Sequence, residues 1–436
     1  MENARNLKAG AAILRCMWRP LDLEAWSSKR RENLDSVRPS VSEIIDQVRN
    51  EGDKALFDLA ERFDKVKLKT LRVDEEQLKA ARENIEPALV SALQEARKRI
   101  ERFHRMQLKD QTWLNEVEPG ISLGVRVTPL ERIGAYIPGG RASYPSTALM
   151  CVIPAKVAGV KEIVCCTPPP ANPMTLAALE IAEADEVYLV GGAQAVAAMA
   201  LGTKTIRRVQ KIVGPGNVYV TAAKMMLRDH VEIDFPAGPS EIVIVADSSA
   251  NPEFIAADIL AQAEHDPRSP CALVTTDPDL PKKVGDALKR QLKGSKRQEI
   301  LLKSMDNAGY LVVKGIHEAG EVVNRIAPEH LSVQCSDPVS FLDKVQNAGS
   351  IFLGHYAAVA CGDYASGTNH VLPTAGFASL YSGLDVWHFC KRTSVQMIER
   401  KGLEEIGDVV ERLAKAEGLE AHARSVSLRR KSKQGS

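Results

Sequence analysis

The sequence predicts an α/β protein: two parallel-sheet layers, each of alternating strands and helices, with helical segments at the amino and carboxyl ends. Three observations predict it. From about residue 124, short runs rich in β-branched residues alternate with longer helical stretches. Gly and Pro punctuate the joins. The same alternation starts again near residue 242. Right-handed β-α-β crossovers imply parallel strands covered on both faces. No repeat of fixed period occurs, so two similar layers are expected rather than a solenoid.

In chain order, residues 1–31 mix Glu2, Arg5, Lys8, Arg15, Arg19, Asp22 and Glu24 with apolar residues, unlike a signal or transit peptide. Ser42 opens a helical run over 43–65, with Ile44, Ile45, Val48, Ala55, Leu56 and Leu59 at helical spacing. Asp74 caps a second run over 75–107, which Pro87 must kink or split. Neither run carries an obvious reactive cluster. Val125, Val127, Ile133, Ala135 and Ile137 read as strands ending at Pro138-Gly139-Gly140. A helix over 146–157 and strand Glu162–Thr167 follow, and Asn172 caps the next helix with Pro173 in its first turn. A strand over 186–190, the Gly191-Gly192 turn and a helix over 193–201 continue this layer. The second layer opens with strand Ile242–Ala246, a helix begun by Asn251-Pro252 and ending near His265, and a strand over 272–276. A lysine-bearing helix over 281–293, strand 310–313, helix 318–326 and strand Ser350–Leu353 complete it. After about Ser379 the chain returns to helix, and the basic stretch 429–433 reads as a solvated end.

Composition narrows the function. The 436 residues carry 57 Lys and Arg against 56 Asp and Glu, a formal net charge of +1. No field of one sign points to nucleic acid or an anionic membrane surface. Aromatics are 5%, too few for base-stacking platforms. No apolar run reaches the roughly 20 residues that span a bilayer. Eight cysteines without a CxxC pair read as reduced core residues, so a cytoplasmic enzyme is expected.

Four segments can carry chemistry. Gln262 and His265 stand three apart at a helix end, where an amide oxygen and an imidazole are half of a zinc site. Taken alone, a polar helix end with His265 at the negative dipole is the better-supported description. Glu329 and His330 follow Pro328, on a turn after an amphipathic helix. The pair suits acid–base work and equally suits local hydrogen bonding. The loop 362–370 gathers Asp363, Asn369 and His370 more densely than structural loops do. His422, in a helical setting near the end, would ordinarily be surface decoration. Gly214-Pro215-Gly216-Asn217 fails the G-x-G-x-x-G fingerprint, and neither a G-x-x-x-x-G-K-[ST] nor a G-x-S-x-G motif occurs. Cys151, Cys165 and Cys361 have no partner legible in sequence and read as inert buried thiols.

Together these segments resemble the histidinol dehydrogenase family over about residues 132–424. The likeness rests on GAYIPGG at 134–140, GGAQ at 191–194, GPGN at 214–217 and PAGPSE at 236–241. It continues in QAEH at 262–265, APEHL at 327–331, NHVLPT at 369–374, KRTSV at 391–395 and EGLEAH at 417–422. One departure is Trp387-His388-Phe389, where relatives more often carry a tyrosine and an acid, which bears on packing.

The resemblance implies two Rossmann-like layers of the incomplete dinucleotide-fold type. It implies a zinc-requiring, NAD-dependent, four-electron oxidation of L-histidinol to L-histidine, the last step of histidine biosynthesis. Carried over by motif, Gln262, His265, Asp363 and His422 would bind one zinc per subunit, and Glu329 and His330 would be the acid–base pair. Those ligands together with Ser240, His330, His370 and Glu417 would bind substrate, and Tyr136, Gln194 and Asn217 would bind NAD. The expected assembly is a homodimer in which each carboxyl-terminal tail completes its partner's site. Expected domains are an arm at 1–38, a discontinuous α/β domain of 39–130 with 237–380, a second at 131–236, and a helical tail at 381–436. The neighbouring alternative is a sister zinc and NAD alcohol dehydrogenase acting on another small amino- or sulfo-alcohol. Intact Glu417 and His422 favour histidinol, and intact Glu329-His330 disfavours a silent regulatory paralogue.

Overall fold

A computed structural model describes residues 18–30, 34–108, 112–139, 144–293 and 295–432. Most of the expected amino-terminal arm, Cys16, Gly140 and Lys433 lie outside the described residues.

The first sheet runs in the order Arg72–Val73, Glu186–Leu189, Glu162–Thr167, Arg132–Tyr136, Lys211–Val213 and Glu232–Ile233. All pairings are parallel except that of the edge strand Arg72–Val73. Counted along the chain, the five parallel strands stand 3-2-1-4-5, so the winding reverses between Arg132–Tyr136 and Lys211–Val213. The second sheet repeats this plan: Arg19–Pro20, Ala308–Val312, Cys271–Thr275, Ile242–Ala246, His330–Gln334 and Ser350–Leu353, all parallel. Ile242–Ala246 and Cys271–Thr275 are buried at every position, which is why they read as unbroken apolar runs.

Local chemistry sets the helix starts. Asp74 and Gln77 close a capping box on Glu75–Glu83, and Pro87 begins the separate helix Pro87–Gln107. Asn172, Asn217 and Asn251 each accept from backbone N–H groups of the helices they open. The helix expected over 43–65 begins earlier, at Arg38, and breaks at Gly52, whose φ of 59° suits glycine. Val41, Ile44, Val48, Leu56 and Leu59 from this region share one core with Ala195, Val196, Met199 and Val220 of the first layer. Each buried Val, Leu or Ile contributes about 1.5–3 kcal/mol there. That packing joins residues 38–59 to the first sheet, whereas the expected boundary grouped them with 237–380.

Three further differences have physical causes. His330 opens a buried central strand instead of lying on the turn. The turn is tighter: helix Ile316–Ile326 stops at Ala327 in the left-handed region, φ 49°, and Pro328-Glu329 leads directly into the strand. The tail is not wholly helical, because Cys390–Ile398 is a strand. The strand expected around Val125 and Val127 is Ile121–Pro129, which pairs antiparallel with Cys390–Ile398 and Trp113–Glu118 rather than joining a parallel sheet.

The chain divides into two compact units, Met1–Arg105 with Glu131–Phe389, and Met106–Leu130 with Cys390–Ser436. In the smaller unit the antiparallel strands are followed by helices Arg400–Ala416 and Glu420–Lys431, which Arg430 ties together through Asp408 and Glu411. In the larger unit, Trp387-His388-Phe389 packs well. His388 pairs with Asp385 at 2.8 Å, its ring meets Phe235 edge-on and Phe389 is fully buried. Among the described residues no helix is long and apolar enough to cross a membrane.

Candidate active site

Glu329 and His330 sit at the amino end of strand His330–Gln334, beside the segment that enters Ile242–Ala246. Glu241 organises both. The Glu241 N–H donates to Glu329 Oε2 at 2.8 Å, and the Glu329 N–H donates back to Glu241 Oε1 at 3.3 Å. His330 Nδ1 lies 3.0 Å from the Glu241 carbonyl oxygen. A carbonyl only accepts, so Nδ1 carries the proton and Nε2 keeps a bare lone pair. That Nε2 is buried and has no hydrogen-bond partner among the described residues, with Asp363 Oδ1 3.7 Å away. Burial lowers the imidazole pKa against the pull of Asp363, which favours the neutral ring. Burial drives the Glu329 carboxyl well above its ordinary range, with Glu241 and Asp363 adding to the effect. Ser240 Oγ donates to Glu329 Oε1 at 3.5 Å.

Arg30, from the amino-terminal helical region, reaches this point. It donates to Glu241 Oε1 at 2.8 Å and to the carbonyl of Ile326 at 2.7 Å, all buried. Sequence reading missed Arg30, and no local pattern marks a contact 211 residues distant.

After Ser350–Leu353, helix Val359–Tyr364 supplies Asp363, which was expected in a loop, and the loop that follows supplies His370. Gly362 lies against the Phe352 ring, where a Cβ would meet Cε1 at 2.6 Å, so glycine is required beside Asp363. His370 Nδ1 donates to the Asp363 carbonyl at 2.8 Å, and His370 Nε2 lies 3.3 Å from Thr147 Oγ1. Asn369 donates to the Met150 carbonyl at 2.8 Å. Helix Pro145–Ala158 of the first layer therefore pins the loop.

Gln262 is buried near the end of helix Pro252–Ala263, and its amide Nε2 has no partner among the described residues. His265 lies just past the helix and is exposed, so the pair does not share one helix face. His265 nonetheless acts electrostatically on both His330 and His370, which puts it in their neighbourhood. Glu417 and His422 belong to the smaller unit, Glu417 ending Arg400–Ala416 and His422 in the first turn of Glu420–Lys431; both are exposed. Among the described residues, no three His, Cys, Asp or Glu side chains stand ready to hold a metal.

Tyr136, Gln194 and Asn217 come together elsewhere, lining a cavity of about 1200 Å³ at the carboxyl ends of the first sheet's strands. Glu329, His330 and Asp363 are not among its lining residues. Three helices begin at its wall, through Asn172, Gly192 and Asn217. Helix Gly192–Leu201 has no side-chain cap; Gly192 N–H donates to Tyr136 Oη at 3.1 Å. Its amino end, with free N–H groups and a positive dipole, suits an anion. Gly214 adopts φ 107°, and a Cβ there would stand 2.2 Å from the Tyr136 carbonyl oxygen. The buried Lys224–Asp234 pair holds that turn from both sides, through the Gly214 carbonyl and N–H. The connection after Tyr136 runs into helix Pro145–Ala158, so one segment borders both the cavity and the His370 loop.

Thiols stay outside this chemistry. Cys151, Cys165, Cys166, Cys271 and Cys335 are buried, and burial raises each of them. Cys361, expected to be buried, is exposed.

A buried imidazole with a bare Nε2 and an open cavity at the switch point of a doubly wound sheet suit an oxidoreductase. The chain belongs to the histidinol dehydrogenase family, whose model matches residues 27–430. It is 50% identical over 404 residues to histidinol dehydrogenase of Methanosarcina mazei, covering 92% of this chain and 93% of that one. Against the Methanothermobacter thermautotrophicus enzyme it is 50% identical over 406 residues, covering 92% and 95%. The crystal structure of histidinol dehydrogenase from Elizabethkingia anophelis superposes with a TM-score of 0.88 at 39% identity, covering 95% of this chain and 94% of that one.

Proposed function

We propose that this protein oxidises L-histidinol to L-histidine in two successive hydride transfers, through the aldehyde and at the expense of two NAD, in the cytoplasm. The single observation that carries the reading is His330: a buried imidazole, its tautomer set by the Glu241 carbonyl, with Nε2 left bare. The dinucleotide-sized cavity and the family of close relatives support the cofactor and the substrate.

The donor set fits zinc. Gln262 and Asp363 offer oxygen and His265 and His422 offer nitrogen, while the buried Gln262 Nε2, a donor without an acceptor among the described residues, would find one in a substrate oxygen. Bound there, zinc would anchor the amine and imidazole of histidinol as a Lewis acid of constant oxidation state. His422 and Glu417 are assigned to the partner subunit's site. Their exposure supports this, as do exposed Val409, Leu413, Leu419 and Leu428 on the same helices, an apolar surface suited to a second copy.

The protein's own groups then account for the protons. His330 Nε2 takes the hydroxyl proton as hydride leaves the alcohol carbon for the nicotinamide. An aldehyde must be hydrated before a second hydride can leave, because the departing hydride needs a tetrahedral carbon bearing an ionisable hydroxyl. Glu329, its proton affinity raised by burial, draws a proton from the attacking water, and His330 then serves the hydrate as it served the alcohol. Ser240 and His370 flank the pair and orient the substrate.

Incubating the metal-loaded protein with L-histidinol and NAD tests the reading. Two NADH should form per histidine. Turnover that stops at the aldehyde, or preference for another amino-alcohol, would overturn it.

A further inference from the structure

The amino-terminal helical region does more than cover the first sheet. The turn Ala60–Asp64 brings Arg62 and Asp64 to the wall of the cavity that Tyr136, Gln194 and Asn217 also line. Asp64 is singular there. Among the described residues no hydrogen bond or ion pair engages its carboxyl, and Oδ2 is sealed from solvent without a donor. Such a group costs stability, and it is retained where a ligand supplies the missing donor. Burial alone lifts its pKa to about 6, and it lines the same cavity as Tyr136, whose phenol burial raises.

Doubly wound dinucleotide folds carry an acidic residue past the end of the second strand, where it binds the adenosine ribose. Here the second strand is Glu162–Thr167, and Pro168-Pro169-Pro170 follows it along the cavity wall. No carboxylate stands at that position. The uncapped amino end of Gly192–Leu201 suits the pyrophosphate, which leaves the ribose hydroxyls as the donors still to be matched.

We propose that Asp64 takes over this role from outside the sheet, accepting hydrogen bonds from the vicinal hydroxyls of the adenosine ribose and so selecting NAD over its 2′-phosphorylated form. The proposal rests on the NAD reading above. A 2′-phosphate would remove one donor and set an anion against the carboxylate.

Steady-state kinetics of the zinc-loaded enzyme with NAD and NADP test it, in wild type, Asp64→Asn and Asp64→Ala. Losing a hydrogen bond to a charged group should raise KM for NAD about tenfold or more, with kcat changed less than about twofold. The preference for NAD over NADP should fall at least about tenfold in Asp64→Ala, a change that a structural role would not produce. Melting temperatures should hold, because Asn removes a buried carboxyl that nothing satisfies. If both variants keep the wild-type KM and NAD preference, Asp64 does not read the ribose. A wild-type enzyme that reduces neither dinucleotide would overturn the cofactor reading and this proposal with it.

Discussion

Replacing Arg30 by methionine asks how far the amino-terminal helix controls the catalytic centre. The Arg30 and Glu241 side chains are 4% and 1% exposed and pair at 2.8 Å. Glu241 Oε1 also accepts from the N–H groups of Glu329 at 3.3 Å and Ala375 at 3.1 Å. Arg30→Met leaves a buried carboxylate with backbone donors but no counter-charge, a loss of about 3–5 kcal/mol. Burial already holds the Glu241 carboxyl above its ordinary range, with Arg30 opposing. Without Arg30 it escapes part of the penalty by taking a proton, so about 3 kcal/mol is expected. With an unfolding entropy of ~2.1 cal/mol/K per residue over a unit of roughly 360 residues, the melting temperature should fall by about 4 °C. Because Glu241 holds the Glu329 backbone and the His330 ring, the proposed acid–base pair, kcat should fall roughly 10- to 100-fold. The assay is thermal unfolding beside kcat for Arg30→Met, Glu241→Gln and the double variant. Non-additivity of at least ~1 kcal/mol is expected. Shifts that add within about 0.5 kcal/mol would refute the coupling, and an unchanged kcat would reduce Arg30 to a packing role.

Four other outcomes follow from the same geometry. Prolonged chelation should abolish turnover while the fold persists, since the sheets supply the core, and Asp363→Ala should act in the same direction; full activity of metal-free protein would remove the zinc assignment. Glu329→Gln should slow oxidation of supplied histidinal more than the first hydride transfer, whereas His330→Asn should slow both; single-turnover NADH formation separates them, and equal losses from Glu329→Gln would end the division of labour. Mixing His330→Asn with His422→Asn should restore roughly a quarter of wild-type activity, because half the dimers would hold one intact site of two; no recovery with heterodimers demonstrably present would return His422 to its own chain. Asp258, buried beside Gln334, titrates at about 6 against an ordinary 3.8, so its contribution to stability is lost as pH rises between those values. Asp258→Asn should therefore raise stability by ~1–3 kcal/mol at pH 8 and by less at pH 5, and an equal gain at both values would contradict the burial argument.

What the sequence disclosed was mostly local. Asp74, Asn172-Pro173 and Asn251-Pro252 mark helix starts because cap and first turn are encoded within a few residues. Strand Glu162–Thr167 was legible to the residue, as a buried parallel strand needs no alternation. Cys390–Ile398 was not, because no position on it is fully buried and it shows no apolar periodicity; its pairing with Ile121–Pro129 closes across more than half the chain. His330 was expected on a turn but opens a strand, since Ala327-Pro328 reads as a helix stop and gives no sign that a strand starts two residues later. Arg30 and Asp64 escaped entirely. Their significance lies in partners or cavity walls far along the chain, and an isolated Arg or Asp in a helical region carries no pattern to notice.

Two sheets of one strand order keep unspent polar groups at opposite ends, and their hydrogen bonds show the difference. Fold analogy points to the carboxyl ends of both, where the winding reverses. In the first sheet that crevice is open, walled by Tyr136, Gln194 and Asn217. In the second, Asp247 fills it. Its Oδ1 takes the N–H and hydroxyl of Ser249, and its Oδ2 takes those of Ser336 at 2.9 and 2.8 Å. Partial burial would raise Asp247, yet these donors hold it down at about 2, the mark of a carboxylate fully used by its own chain. The amino ends are the reverse case: Glu329 and Glu241 are buried with raised carboxyls, and His330 Nε2 has no partner among the described residues. Unspent hydrogen-bonding capacity is what a substrate could engage, so on the proposed reading the second sheet would offer its chemistry at the end that topology alone would pass over. Thr147 and Met150, on the helix after Tyr136, hold the His370 loop against that end. Helix Pro145–Ala158 thus belongs to the first layer by its packing and to the His370 loop by its hydrogen bonds.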